Sequence, residues 1–135
     1  MEDLKRRNTR QRAVVLKVIR NTHSHPPADW IYREARKMVP NLSLGTVYRN
    51  LNILKLQQKI SEVKSEYSSS ARYDGVTSPH SHFHCKRCNH ISDIMEMNED
   101  GLVRGSGIDS YGEVSSVQVL FLGTCKRCMK REASP

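Results

Sequence analysis

Apolar residues in the first part of the chain recur at steps of three and four. Over Asn8 to Asn21, Ala13, Leu16 and Ile19 keep that spacing with Val15 beside them, which predicts an amphipathic helix with a basic outer face and Asn8 or Thr9 as its cap. His23-Ser24-His25-Pro26-Pro27 ends it: proline cannot donate into a helix interior, and the residue before a proline is pushed toward extended geometry. Pro27 opens a second predicted helix, whose face of Ile31, Ala35 and Met38 runs until Pro40. Asn41 and Ser43 can cap a third, Leu44 to Leu56, in which Leu44, Val47, Leu51 and Leu54 form the apolar face. Gly45, Tyr48, Arg49, Asn52 and Lys55 are left on its flanks and outer face. The period then drops to two. Lys59 to Ser65, with Ile60 and Val63 as its apolar members, and Ala71 to Tyr73 predict two short strands around the Ser68-Ser69-Ser70 turn. Three helices followed by a two-stranded ribbon is the order of a winged helix-turn-helix, in which the third helix enters the major groove of DNA.

Past Asp74 the pattern changes. A strand begins near Phe83 and Cys85, His90 to Glu96 alternates as another, and Val114 to Leu122 is a β-rich run, nearly continuous in its apolar second half. The intervening Asn98 to Gly112, with Gly101, Gly105, Gly107 and Gly112, predicts no more than a short helix, and Lys130 to Pro135 is expected to be disordered. A sheet this small buries too little surface to stand alone, so zinc and a partner sheet across a twofold axis are the expected supplements. The resulting fold class is α+β: an N-terminal winged helix-turn-helix domain with its hinge over residues 1–74, and a small C-terminal α/β dimerisation domain with a four-cysteine zinc site over residues 75–135.

Charge sharpens the division. Residues 1–64 hold fourteen Lys and Arg against five Asp and Glu, a net of +9, whereas residues 65–135 hold eight against nine, a net of −1. The basic half is a candidate for phosphate contact, although a basic surface that is merely solvated has the same charge. No run of 18 apolar residues and no cleavable signal pattern occurs, so the expectation is a cytoplasmic protein with no membrane span.

The candidate chemistry concentrates in Pro79 to Asp93, PHSHFHCKRCNHISD. His80, His82 and His84 alternate, which puts their imidazoles on one face of a strand. Cys85-x-x-Cys88 and Cys125-x-x-Cys128 use all four cysteines in two identical spacings, the pattern of paired zinc knuckles. Disulfides are the competing account. Nothing suggests secretion, however, and the Lys-Arg inside each pair favours thiolates.

These residues together resemble the ferric uptake regulator family of bacterial metal-dependent repressors. The resemblance covers most of the chain and rests on Thr9-Arg10-Gln11-Arg12, His25-Pro26-x-Ala28-Asp29-x-Ile31-Tyr32, Gly45-Thr46-Val47-Tyr48-Arg49-Asn50-Leu51, the histidine-rich strand and the two cysteine pairs. It implies a homodimer that reads palindromic operator DNA, with Arg12, Gly45, Thr46, Tyr48, Arg49 and Asn52 as DNA-binding positions. It implies structural Zn2+ on Cys85, Cys88, Cys125 and Cys128, and a regulatory Fe2+ or Mn2+ at the hinge on His25, Asp74, His80, His82 and Asp93. Aspartates at both carboxylate positions look like the peroxide-sensing branch, in which hydrogen peroxide is the signal and a histidine ligand beside Fe(II) is oxidised; His25 and His80 are the positions expected to be modified. The alternative is an iron-, zinc- or manganese-responsive repressor without peroxide chemistry. His84 and His90 read as surface residues or neighbours of the ligands, and His23 as a surface residue. Only eight residues precede Thr9, where the family usually has a further helix. Three imidazoles with two carboxylates suit Fe(II) or Mn(II) better than soft thiophilic ions. An enzyme is disfavoured because no Gly-rich phosphate loop or nucleophile motif is evident, and neither an enzyme nor a metal store accounts for the basic helical half.

Overall fold

A computed structural model of the chain describes residues 3–78, 80–95 and 97–133. It divides into two compact units, Met1–Ser78 and Pro79–Pro135.

In the first unit the chain forms α1 (Leu4–Arg20), α2 (Ala28–Arg36) and α3 (Leu44–Leu56), followed by the antiparallel strands β1 (Ser61–Val63) and β2 (Arg72–Asp74). Helix α1 starts earlier than the periodicity predicts, because Asp3 rather than Asn8 or Thr9 serves as its cap, accepting from the Lys5 N–H at 3.4 Å. The added first turn stays exposed, and the face toward the core is Gln11, Val15, Val18 and Ile19, with Ala13 exposed. Pro27 sits just outside α2 as its cap, and the helix stops at Arg36, so the following turn buries Val39 and leaves Met38 exposed. The third helix has the predicted bounds, with Ser43 Oγ accepting from the Thr46 N–H at 3.1 Å. Its core face is Val47, Leu51 and Leu54 together with the polar Asn50; Leu44, at the first turn, is exposed.

The three helices close on one apolar core that includes Val15, Ile19, Ile31, Ala35, Val47, Leu51 and Leu54, with Ile60 and Tyr73 reaching in from the ribbon side. Burial of each large aliphatic side chain contributes about 1.5–3 kcal/mol. The ribbon pairs Ser61 with Asp74, Glu62 with Tyr73 and Val63 with Arg72. The second strand therefore lies one residue further along than the pattern Ala71 to Tyr73 predicts, and Asp74 closes it.

The second unit is a three-stranded sheet of order β4-β3-β5, built from β3 (Ser81–Cys85), β4 (Ile91–Ile94) and β5 (Leu120–Gly123), with α4 (Glu99–Gly105), a 3-10 turn (Ile108–Ser110) and a closing helix α5 (Lys126–Ala133). Strand β3 runs antiparallel to β4 and parallel to β5. Of the predicted run Val114 to Leu122 only Leu120 to Leu122 is strand, continued by Gly123, because a strand exists only where a neighbour supplies ladder partners, and the parallel β3 begins at Ser81, just before the His82 that faces Leu120. The expected disordered tail is instead helical through Ala133; the helix begins beside the second cysteine pair, with the Met129 N–H bonded to the Cys125 carbonyl at 2.9 Å. Pro79 and Glu96, which fall in the predicted metal-rich stretch and strand, and Ser134 and Pro135 of the tail lie outside the described residues.

Leu51 is fully buried at the centre of α3. Leu51→Ala is expected to destabilise the first unit by about 2–5 kcal/mol, seen as a lower urea midpoint with an unchanged slope.

Candidate functional site

The outer face of α3 carries Gly45, Tyr48, Arg49 and Asn52, all exposed and spaced i, i+3, i+4, i+7, so they form one stripe opposite the buried residues. Thr46 is half-buried, its hydroxyl 2.8 Å from Ser43 Oγ in the cap. Arg12 is half-buried as well and donates from Nε to Asn50 Oδ1 at 3.2 Å, across α1 and α3. Asn50 is 2 % exposed, and its Nδ2 has no hydrogen-bond partner among the described residues. Arg12 thus holds α3 from behind, whereas the stripe on its outer face is exposed.

The four thiols meet in the second unit. Cys85 Sγ lies 3.9 Å from Cys128 Sγ, Cys88 Sγ lies 3.9 Å from Cys125 Sγ, and all four sulfurs fall within 4.8 Å of one another. A disulfide needs about 2.05 Å, so these are not bonded pairs. Four sulfurs at about 2.3 Å from one ion in tetrahedral coordination stand about 3.8 Å apart, so the spacing fits zinc. The local chain explains the grip. The Asn89 N–H bonds to the Cys85 carbonyl at 2.9 Å and the Cys85 N–H to the His90 carbonyl at 2.9 Å, which folds the first knuckle into a tight turn with Asn89 in the left-handed region, φ 67°. The Cys125 N–H points at Cys85 Sγ at 3.3 Å. Burial opposes ionisation of Cys85, but N–H groups of Cys125, Cys88 and Arg87 outweigh it and bring the thiol down to about 5. Cys128 is pushed the other way, up to about 12, by its hydrogen bond to Cys125, by burial and by the remaining thiols. Sulfurs this close cannot all carry charge unless a cation lies among them.

A set of nitrogen and oxygen donors lies in each unit. In the first, His25 Nε2 stands 3.3 Å from Asp74 Oδ2, with both side chains buried. Asp74 Oδ1 accepts from the Val76 N–H at 2.9 Å, which leaves the other oxygen turned to the imidazole. His25 departs from the extended geometry expected before a proline: its φ is 53°, left-handed, a conformation that costs a non-glycine residue about 1–3 kcal/mol and persists only where its surroundings enforce it. The enforcing contacts come from β2. Arg72 donates from Nε to the His25 carbonyl and from Nη2 to the Ser24 carbonyl at 2.8 Å, and the Tyr73 N–H bonds to the Pro26 carbonyl at 3.0 Å.

In the second unit the register places His82 directly opposite Asp93, and His80 shares the face of His82. His80 Nε2 is 3.1 Å and His82 Nε2 3.4 Å from Asp93 Oδ1, and the two imidazole rings meet edge to face at 4.6 Å. His84 is not on the surface. It is fully buried, with Nε2 2.6 Å from Asn89 Oδ1, so it braces the left-handed residue of the knuckle; His90 and His23 are exposed. Sequence reading passed over Arg72, Asn50 and the His84–Asn89 pair. Arg72 contacts carbonyls 47 and 48 residues away, and no local pattern marks such a partner.

The profile of the ferric uptake regulator family matches residues 4–103. The peroxide operon regulator of Bacillus subtilis (strain 168) is 33% identical over 126 residues, covering 93% of this chain and 86% of that protein. Among solved structures, the Campylobacter jejuni peroxide stress regulator superposes with a TM-score of 0.76 at 30% identity, covering 95% of this chain and 100% of that one. The Helicobacter pylori ferric uptake regulator Fur, described as having three functional metal binding sites, gives 0.75 at 25% identity, with 89% and 80% covered. A winged three-helix unit with an exposed stripe on α3, a sulfur cluster sized for zinc and an imidazole–carboxylate set in each unit agree with these likenesses, and the chain belongs to the ferric uptake regulator family, as a DNA-binding metalloregulator and not an enzyme.

Proposed function

We propose that this protein is a cytoplasmic, homodimeric repressor that reads a palindromic operator when a regulatory Fe(II) or Mn(II) is bound, and that releases it when hydrogen peroxide oxidises a histidine ligand. The observation that carries the reading is the buried pair of His25 and Asp74 at the end of the wing strand. A metal held there acts on the DNA-binding unit itself. The ligands would be His25 and Asp74 with His80, His82 and Asp93, a mixed nitrogen and oxygen set whose chemistry suits Fe(II) and Mn(II). Metal favours the DNA-competent arrangement by its greater affinity for it, which is a population shift. The domains proposed for these tasks are residues 1–74 for DNA and 75–135 for dimerisation.

Tyr48, Arg49, Asn52, Gly45 and Thr46 would meet the operator from α3, and Arg12 would support them through Asn50. Cys85, Cys88, Cys125 and Cys128 would hold a permanent zinc. A second copy would cover the apolar hollow of about 320 Å3 lined by Leu102, Val103, Ile108, Val114 and Val117. No helix among the described residues is long and apolar enough to cross a membrane.

Peroxide enters through the likeness to peroxide regulators in Bacillus subtilis and Campylobacter jejuni, and through the aspartates at positions 74 and 93. A bound Fe(II) would activate peroxide beside the ligands, and the two-electron reduction of one peroxide to water would balance the gain of one oxygen by an imidazole. The chain supplies the target imidazoles, His25 and His80.

Three outcomes are expected. Duplex binding to an operator, followed by fluorescence anisotropy, should require Mn(II) and weaken steeply with salt; Arg49→Ala should weaken it and Tyr48→Ala should relax its sequence preference, while metal-independent or undetectable binding would sink the reading. Removing zinc with a strong chelator, or Cys125→Ser, should unfold the second unit and yield monomers by light scattering. After peroxide treatment of the Fe(II)-loaded protein, peptide mass spectrometry should find one added oxygen on His25 or His80, and none with Mn(II). Oxidation confined to cysteine or methionine would leave a metal-responsive regulator without peroxide chemistry.

A further inference from the structure

Arg72 is a feature of the first unit to which neither DNA contact nor metal ligation gives a task. It stands on β2 two residues before Asp74, and its guanidinium forks onto two consecutive carbonyls, those of Ser24 and His25, on the loop that carries the other imidazole–carboxylate partner. His25 needs such a hold. It combines a left-handed φ of 53° with the position before a proline, two demands that an unconstrained histidine would escape by turning to extended backbone and swinging its ring away from Asp74. The main chain of β2 meets the loop one step later, through the Tyr73 N–H on the Pro26 carbonyl and the bridge between Pro27 and Arg72. These contacts dock the loop beside the residue that Arg72 holds.

We propose that Arg72 is a positioning residue for the regulatory metal. By holding the His25 carbonyl from the strand that carries Asp74, it fixes the imidazole and the carboxylate in one frame before any ion arrives. The inference rests on His25 and Asp74 being ligands. It assigns to Arg72 the share of metal affinity that comes from preorganisation, distinct from the share that comes from donor atoms. A lysine could not do the same, because a single ammonium lacks the planar fork that reaches two carbonyls at once.

The test is a double-mutant cycle on Mn(II) affinity, read from the electron paramagnetic resonance signal of free Mn(II), with zinc content and the thermal midpoint of the metal-free protein recorded for each variant. Arg72→Ala should raise the Mn(II) Kd by about 10- to 100-fold, the range found when the outer partners of metal ligands are lost. Arg72→Lys should fall between it and the unaltered protein, and remains informative if Arg72→Ala does not fold. In a His25→Ala background the Arg72→Ala change should have almost no further effect, within about twofold, because the residue it positions is gone. A merely structural arginine would lower the thermal midpoint while leaving the Kd alone, or would cost the same factor with and without His25; either result overturns the proposal. If His25→Ala weakens Mn(II) but Arg72→Ala and Arg72→Lys do not, the ligand assignment stands and the role of Arg72 fails. If His25→Ala itself binds Mn(II) like the unaltered protein, the ligand assignment fails and the proposal with it.

Discussion

The C-terminal unit buries, among its described residues, only Ser81, His84, Cys85, Ile91 and Cys128, and two of these five are members of the sulfur cluster. So small an apolar core cannot offset the conformational entropy of ordering the chain around it. What joins the beginning of this unit to its end is the approach of Cys85 and Cys88 to Cys125 and Cys128, reinforced by the parallel pairing of β3 with β5. A parallel neighbour needs a long crossover, which is the reason for the long segment with α4 between the two knuckles. The β3–β5 register brings Cys85 opposite Gly123, and a separate β3–β4 register orders His82 against Asp93 on the other edge of β3. The first knuckle is the turn that joins β3 to β4, so its fold bears on where the nitrogen and oxygen donors of that unit stand.

The first unit is built on the opposite principle. Its three helices bury enough aliphatic surface to hold together without an ion, and this leaves the outer stripe of α3 free for chemistry. The polar exceptions inside are specific. Asn50 takes a core position on α3 and engages Arg12, at the cost of leaving one amide nitrogen unsatisfied among the described residues. His25 adopts a strained backbone conformation that β2 enforces. Strain falls beside the imidazole–carboxylate pair and the unsatisfied amide on the inner side of α3, the two places where this unit departs from an apolar core.

Much of this could be read along the chain. The steps of three and four gave α3 its bounds, and the two CKRC pairs pointed to one tetrahedral site because close thiolates need a shared cation. The alternation of His80 and His82 put both on one strand face. Each of these is a local rule, in which residues within a few positions constrain one another through backbone geometry or ligand spacing. The misses were of a different kind. Leu44 and Met38 fit an apolar face by period but lie exposed, while Val18 and Val39 are buried, because burial depends on which neighbours close over a helix end. Val114 to Val119 has strand composition and no strand, since ladder partners are a matter of tertiary pairing.

The sequence by itself determined the order of helices and ribbon and the four sulfurs as one set, because period and ligand spacing are local rules, whereas the candidate donors His25, Asp74, His80, His82 and Asp93 came from the family resemblance. Only the tertiary structure decided that His25 is left-handed and held by Arg72, that Asn50 answers Arg12, and that His84 is buried against Asn89. The first two contacts join residues 38 or more positions apart, and the third depends on how the knuckle folds back on its own strand. Hydrogen bonds of that kind have no period, and the chain reveals them only once packing has brought donor and acceptor together.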